Sequence, residues 1–366
     1  MSLDGEWDLD ESVAADAIPS AYRHRVPVPG LAHSAVPGFA HVDEFESREF
    51  IQNLVGRGLR PKSALVQNAG VSRQQRNWFW YHRSFTLDAL PSVARLRINK
   101  AQFGATVWLN RKKIEEHLPC FTAAVFDVSG DVRVGANNLV VRIGAHPGVL
   151  PANISAGTDF EKLRWTPGIY DSVSLVLSGN PAIETVQADP RVGDSSIVVE
   201  SRIRNYAASP VSFRLTQGVH PWRESQIAGS TSSATMTLQP GEEKTVLQTV
   251  PIRGARLWWP EDPRLYVVET DTGADHASTR FGMRELRFDS VTKHAVLNGR
   301  PYFMRGSNIT LHRFFEDPIP VRCRGTTSGC GGFSWRFRSR CTGTASDSVS
   351  DRFPTSGWRW PMRPGF

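Results

Sequence analysis

Arg305, Asn308 and His312 follow the apolar run Tyr302-Phe303-Met304 at short intervals, and their types suit ligand chemistry. Polar residues in this place are expected where a barrel strand opens its C-terminal end onto a site. Aromatic side chains are a second source of binding chemistry, because a ring face can cover the apolar face of a sugar. Trp78, Trp80, Trp108, Trp165 and Tyr170 are available for this. Trp80 and Trp108 fall in runs that alternate as strands do, which assigns them to packing. Trp165, close to the Pro167-Gly168 turn, is the loop candidate for a sugar contact.

Charge and cysteine usage narrow the field. Between Ile319 and Phe366 there are eight Arg, two Asp, no Lys and no Glu, so this tail carries +6 of the formal +7. The preceding 318 residues are close to neutral. A basic face patterned for nucleic acid is therefore not expected. Cys323, Cys330 and Cys341 lie in the tail and only Cys120 precedes it; the spacings match no zinc or disulfide framework. No metal site and no cofactor are expected. Met1 to Asp8 is acidic without an apolar run, unlike a secretory signal, and no stretch is apolar enough to span a bilayer. A cytoplasmic protein without a membrane partner is expected, with the sequons at Asn153 and Asn308 unmodified.

The elements that must position these residues read as strands. Residues 93–98, 105–109, 138–143, 173–177 and 196–204 alternate with period two between Gly, Asn and Asp punctuation, which predicts stacked antiparallel sheets. The pattern pauses at Asn180-Pro181. A first unit over 1–180 has the size of a jelly roll, and a second over 181–285 that of an immunoglobulin-like sandwich. Gln239-Pro240-Gly241-Glu242 suits a type II turn. Asn298-Gly299 between two apolar runs predicts a hairpin.

Taken in order, several motifs resemble glycoside hydrolase family 2, the group of β-galactosidases, β-glucuronidases and β-mannosidases. They are Leu3-Asp4-Gly5-Glu6-Trp7, Trp80-Tyr81-His82-Arg83-Ser84-Phe85, Val107-Trp108-Leu109-Asn110, Phe126-Asp127-Val128 and Pro167-Gly168-Ile169-Tyr170. Leu257-Trp258-Trp259-Pro260, Phe281-Gly282-Met283-Arg284-Glu285, Leu297-Asn298-Gly299 and Arg305-Gly306-Ser307-Asn308 follow. The resemblance covers roughly 310 residues. It implies an all-β region, a sugar-binding jelly roll followed by an immunoglobulin-like sandwich, with residues 286–318 beginning a catalytic (β/α)8 barrel. It also implies a β-glycoside or oligosaccharide as substrate, a homo-oligomer for the intact protein, Arg305 and Asn308 near the sugar subsite, and Trp258 and Trp259 packed at the barrel junction. His312 does not align cleanly with the family's histidine. Arg111 stands where Gly usually follows Asn110, Asp171 follows Tyr170 where Arg is common, and the Trp-Asp-Trp-Gly-Pro signature of β-mannosidases is missing ahead of Pro167, so the sugar stays open.

Retaining glycosidases need two carboxyl groups about 5–5.5 Å apart, which the family takes from later barrel strands, one of them in an Asn-Glu pair. This sequence contains no Asn-Glu pair and no strand-helix alternation to complete a barrel. No catalytic residue is assigned, and the chain is expected to be inactive alone. The alternative is a free-standing carbohydrate-binding or protein-interaction sandwich. Residues 319–366 mix Ser, Gly and Arg without an apolar period, which predicts a disordered tail. They also fit an out-of-frame reading: G/C-rich codons for Val321 to Cys330, read two nucleotides later, encode Ala-Val-Pro-Trp-Asp-Asp-Glu-Trp-Val. Those for Trp358 to Gly365 encode Glu-Val-Ala-Asp-Glu-Ala-Gly in the same frame, and both segments resemble the family's barrel in order.

Overall fold

The computed structural model describes residues 1–40, 42, 52, 54–65, 76–155 and 167–304. Two compact units divide them, one from Met1–Leu90 with Ala94–Leu177 and one beginning at Ser178. No helix among the described residues is long and apolar enough to cross a membrane.

The first unit contains β1 (Gly5–Ser12), β2 (His24–Val28), β3 (Gly30–Leu31), β4 (Trp78–Leu87), β5 (Val93–Ile98), β6 (Ala101–Gln102), β7 (Ala105–Leu109), β8 (Lys112–His117), β9 (Ala124–Asp127), β10 (Gly135–Gly144), β11 (Gly168–Ile169) and β12 (Val173–Ser178). A six-stranded antiparallel sheet runs β2-β1-β4-β10-β7-β8, and two three-stranded sheets run β3-β11-β6 and β12-β5-β9. Period-two alternation decides which side chains meet between the layers. From β4 these are Phe79, Tyr81, Phe85 and Leu87; from β10, Leu139, Val141 and Ile143. Leu96, Ile98, Phe126 and Leu175 come from the short strands into the same core. Full burial of each such side chain contributes about 1.5–3 kcal/mol before chain entropy is subtracted. Trp7 anchors β1 by placing its ring edge-on to Tyr81 and donating its indole N–H to the Leu3 carbonyl at 2.9 Å.

The second unit contains β13 (Ala182–Arg191), β14 (Ser196–Arg204), β15 (Val211–Phe213), β16 (Thr216–Pro221), β17 (Gly229–Ser232), β18 (Met236–Leu238), β19 (Glu243–Pro251), β20 (Tyr266–Asp271), β21 (His276–Phe281), β22 (Leu286–Phe288), β23 (Ala295–Leu297) and β24 (Arg300–Pro301). Its main sheets are β13-β14-β19 and β17-β16-β20-β21, with smaller ones from β15-β18 and β22-β23-β24. Two apolar clusters fill it, one around Ile197, Val199, Val219 and Val268 and the other around Ile203, Phe213, Leu215 and Leu238. Ser201, Gln217 and Thr270 are buried polar residues of the same strands: Gln217 donates to Ser201 Oγ at 3.1 Å and accepts from Thr270 Oγ1 at 2.6 Å. Gln217 also donates to Gln248, whose amide donates to the Leu215 carbonyl.

Local turn chemistry follows the residues. Gly241 takes the left-handed φ of +72° and the Glu242 N–H donates to the Gln239 carbonyl, closing the type II turn. Asn298 and Gly299 have φ of 50° and 79°, a type I′ hairpin that pairs Leu297 with Arg300.

Candidate functional site

Of the residues singled out for sugar contact, Trp165, Arg305, Asn308 and His312 all lie outside the described residues, as does the tail after Pro318. The described tryptophans form a different arrangement. On the face of the six-stranded sheet away from the core, β4 contributes Trp78, Trp80 and His82, β10 contributes Asn138, Val140 and Arg142, and β7 contributes Thr106 and Trp108. Register places Trp80 and Thr106 directly across from Arg142, and His82 and Trp108 directly across from Val140.

Arg142 is only 7% exposed. Its guanidinium carbon sits 4.0 Å from the Trp78 ring centre, 5.5 Å from Trp108 and 5.8 Å from Trp80. It donates to Thr106 Oγ1 at 2.9 Å and to the Ala15 carbonyl, which ties the segment after β1 over the rings. Trp80 donates its own N–H to Ser12 Oγ at 2.7 Å. Burial holds the Arg142 guanidinium below the usual arginine range, partly offset by Asp16 and Glu116. Trp80 and Trp108 are therefore packing residues, as their alternation indicates, but they pack around a cation rather than in the core between the sheets. The signal in the sequence was one Arg inside Leu139-Val140-Val141-Arg142-Ile143.

Beside this cluster lies a cavity of about 570 Å³, lined by Ile18, His82, Trp108, Val140, Asn138 and Asn110 together with two arginines, Arg111 and Arg133. Topology assembles it, since β10 lies between β4 and β7, and the β7–β8 turn supplies Asn110 and Arg111. The Asn110 amide donates to the Asp131 carbonyl at 2.8 Å and its oxygen accepts from the Asn138 N–H at 3.1 Å. His82 approaches Asp8 at 3.0 Å and stacks on Tyr22, whose hydroxyl is pushed up to about 12 by burial and by Asp8 and Asp10.

In the second unit, Glu269 on β20 gathers His220 from β16 at 3.2 Å, His276 from β21 at 2.9 Å, and the Ser278 hydroxyl. Burial opposes the charged form of both partners. For His220 the Pro221 carbonyl and Glu269 outweigh it and raise the pKa; for Glu269 the Ser278 hydroxyl and both histidines outweigh it and lower the pKa. No group of three or more His, Cys, Asp or Glu among the described residues is arranged to hold a metal ion. Toward residue 304, Asn298 accepts from the Glu285 N–H and donates to the Trp258 carbonyl, both at 2.9 Å, so the hairpin is tied to Trp258. Arg300 lies over Trp259, 5.3 Å from its ring centre.

Two successive antiparallel sandwiches, the second ending in a hairpin pinned to a tryptophan, define a modular all-β region. Residues 182–284 match the family model for glycosyl hydrolases family 2. The chain is 24% identical over 216 residues to an exo-beta-D-glucosaminidase of Arthroderma benhamiae, covering 52% of this chain and 24% of that protein. It is 24% identical over 234 residues to a beta-galactosidase of an Arthrobacter species, covering 62% and 20%. Among solved structures, a beta-glucuronidase of Bacteroides uniformis superposes with a TM-score of 0.59 at 21% identity, covering 84% of this chain and 35% of that one. A GH2 beta-galacturonidase of Eisenbergiella tayi bound to galacturonate superposes with a TM-score of 0.56 at 19% identity, covering 82% and 46%. Together these matches support a glycoside hydrolase family 2 N-terminal region. It spans about a quarter or less of the length of these two curated relatives.

Proposed function

We propose that this chain is the N-terminal, non-catalytic portion of a family 2 glycoside hydrolase that cleaves β-glycosides, and that it has no hydrolytic activity alone. The observation that carries the reading is the order of parts: an antiparallel β-sandwich, a sandwich matching the family model over residues 182–284, and the Asn298-Gly299 hairpin tied to Trp258, in a sequence with no Asn-Glu pair. Surface character supports it. Phe288 is 66% exposed, Val291 86% and Phe303 79%, with Leu286 and Met304 exposed among them, a run of apolar side chains suited to contact with further protein. The whole protein would take a β-glycoside or oligosaccharide without a cofactor, and its two carboxyl groups would come from barrel strands beyond this sandwich pair. Arg305 and Asn308 would stand at the edge of that sugar site. The test is turnover of aryl β-galactoside, β-glucuronide, β-mannoside and β-glucosaminide by the purified chain. None is expected. Turnover that survives purification, and is lost when a carboxylate of this chain is replaced, would overturn the reading.

A further inference from the structure

The strongest unassigned feature is the cavity on the outer face of the first unit, and the strained residue at its rim is the reason to regard it as a site. Asn110 and Arg111 form the two-residue loop of the β7–β8 hairpin, with φ of 51° and 73°. A type I′ loop of this kind takes Asn readily at its first position and favours Gly at its second. Here the second position holds Arg111, in a backbone conformation that L-residues disfavour, and such outliers gather at ligand sites. Its guanidinium has no hydrogen-bond or ion-pair partner among the described residues.

The rest of the lining is consistent with one class of ligand. Arg133 spends its Nε on the Ala136 carbonyl at 2.8 Å, leaving its terminal nitrogens without a partner among the described residues. The Asn138 amide oxygen accepts from Ser84 at 2.9 Å, while its NH2 has no such partner. No carboxylate lines the cavity; nearby Asp8 is engaged by His82 and Arg25. Two guanidiniums without an opposing carboxylate call for an anion, and their fork geometry fits a carboxylate. Ile18 and Val140 add apolar surface to the same lining. A volume of about 570 Å³ is far more than a lone inorganic anion fills, and it lies in the range of sites for small organic ligands.

We propose that this cavity binds a carboxylate-bearing sugar, with Arg111 and Arg133 on the carboxylate, Asn138 on a hydroxyl, and Ile18 and Val140 against the ring. The site lies on the first sandwich and does not depend on whether the whole protein hydrolyses glycosides.

The experiment is a titration of the full chain with glucuronate, glucose and inorganic phosphate, followed by NMR or calorimetry, for wild type, Arg111→Gly and Arg133→Gln. Glucuronate should bind at least about tenfold more tightly than either control, and each substitution should weaken it by about tenfold. Arg111→Gly should at the same time raise the melting midpoint, because Gly relieves the turn; a residue kept for packing would not separate the two readouts in this way. The proposal is overturned by absence of glucuronate binding, by equal affinity for glucose or phosphate, or by unchanged affinity in both variants.

Discussion

Replacing Arg142 separates two ways in which a buried cation can be held. Arg142→Ala removes two hydrogen bonds from a charged donor, to Thr106 and the Ala15 carbonyl, and three ring contacts between 4.0 and 5.8 Å. Charge-assisted hydrogen bonds contribute about 1.5–3 kcal/mol each and desolvated cation–ring contacts up to ~2. Against this stands the cost of burying the charge, several kcal/mol, with Nε lacking any hydrogen-bond partner among the described residues. The exposed Asp16, 4.0 Å away, returns little of it. With the void left among the indoles included, Arg142→Ala should cost about 3 kcal/mol. Arg142→Met keeps the packed stem and removes the desolvation cost, so its loss should stay near 1 kcal/mol. Urea titration followed by tryptophan fluorescence reads this, since Trp78, Trp80 and Trp108 around the site contribute to the signal. A cost below about 0.5 kcal/mol for Ala, or Met as damaging as Ala, would refute the account.

Stability of the second unit should depend on pH through Glu269 and His220. The raised pKa of His220 contributes stability that is full below the unfolded value of 6.5 and is lost as pH rises through the folded value; the lowered pKa of Glu269 contributes above 4.5 and is lost as pH falls. Melting midpoints scanned from pH 4 to 9 should be highest between those values, and Glu269→Gln should flatten the profile; an unchanged profile would rule this coupling out. Gly229→Ala should destabilise the unit by about 2 kcal/mol, since its Cβ would stand 1.9 Å from the Pro251 carbonyl oxygen, whereas Gly193→Ala, with nothing within 4 Å, should be nearly neutral in the same denaturation assay. Resequencing the gene around the codons for Asp317 to Val321 should reveal an insertion or deletion followed by an open frame encoding an Asn-Glu pair, and early stops in that frame would end the out-of-frame reading of residues 319–366.

Strands were legible because alternation and burial share one cause. The run Leu139-Val140-Val141-Arg142-Ile143 points Leu139, Val141 and Ile143 into the core, as period two requires. The Asn298-Gly299 hairpin was legible because few sequences tolerate two successive left-handed residues. Arg111 could be seen as a departure from Gly, but its strain and its place in a cavity could not. The strain lies in the backbone of the turn itself, and the cavity depends on Arg133, from the loop before β10, and Asn138, from β10, arriving beside that turn. The same is true of the tryptophan cage: alternation says only that Trp80 and Trp108 share a face with Arg142, and it is the Ala15 carbonyl, 127 residues away in sequence, that helps cover that face. The residues chosen for sugar contact lie outside the described residues, so the catalytic end remained legible only as an absence of carboxylate motifs.

The buried row of Ser201, Gln217 and Thr270 bears on how the second sandwich finds its alignment. On β14 the inward positions are Ile197, Val199, Ser201 and Ile203, and hydrophobicity alone cannot distinguish this arrangement from one displaced by two residues, which keeps the same side chains facing in. Such a slip would place Ser201 opposite a different rung and strand the Gln217 amide between aliphatic neighbours, where unmet polar atoms are costly. The hydroxyl and amide groups therefore act as an address along otherwise interchangeable rungs. They discriminate between alignments that the apolar clusters treat as equivalent, and a chain carrying Val at all three positions would be free to settle in more than one.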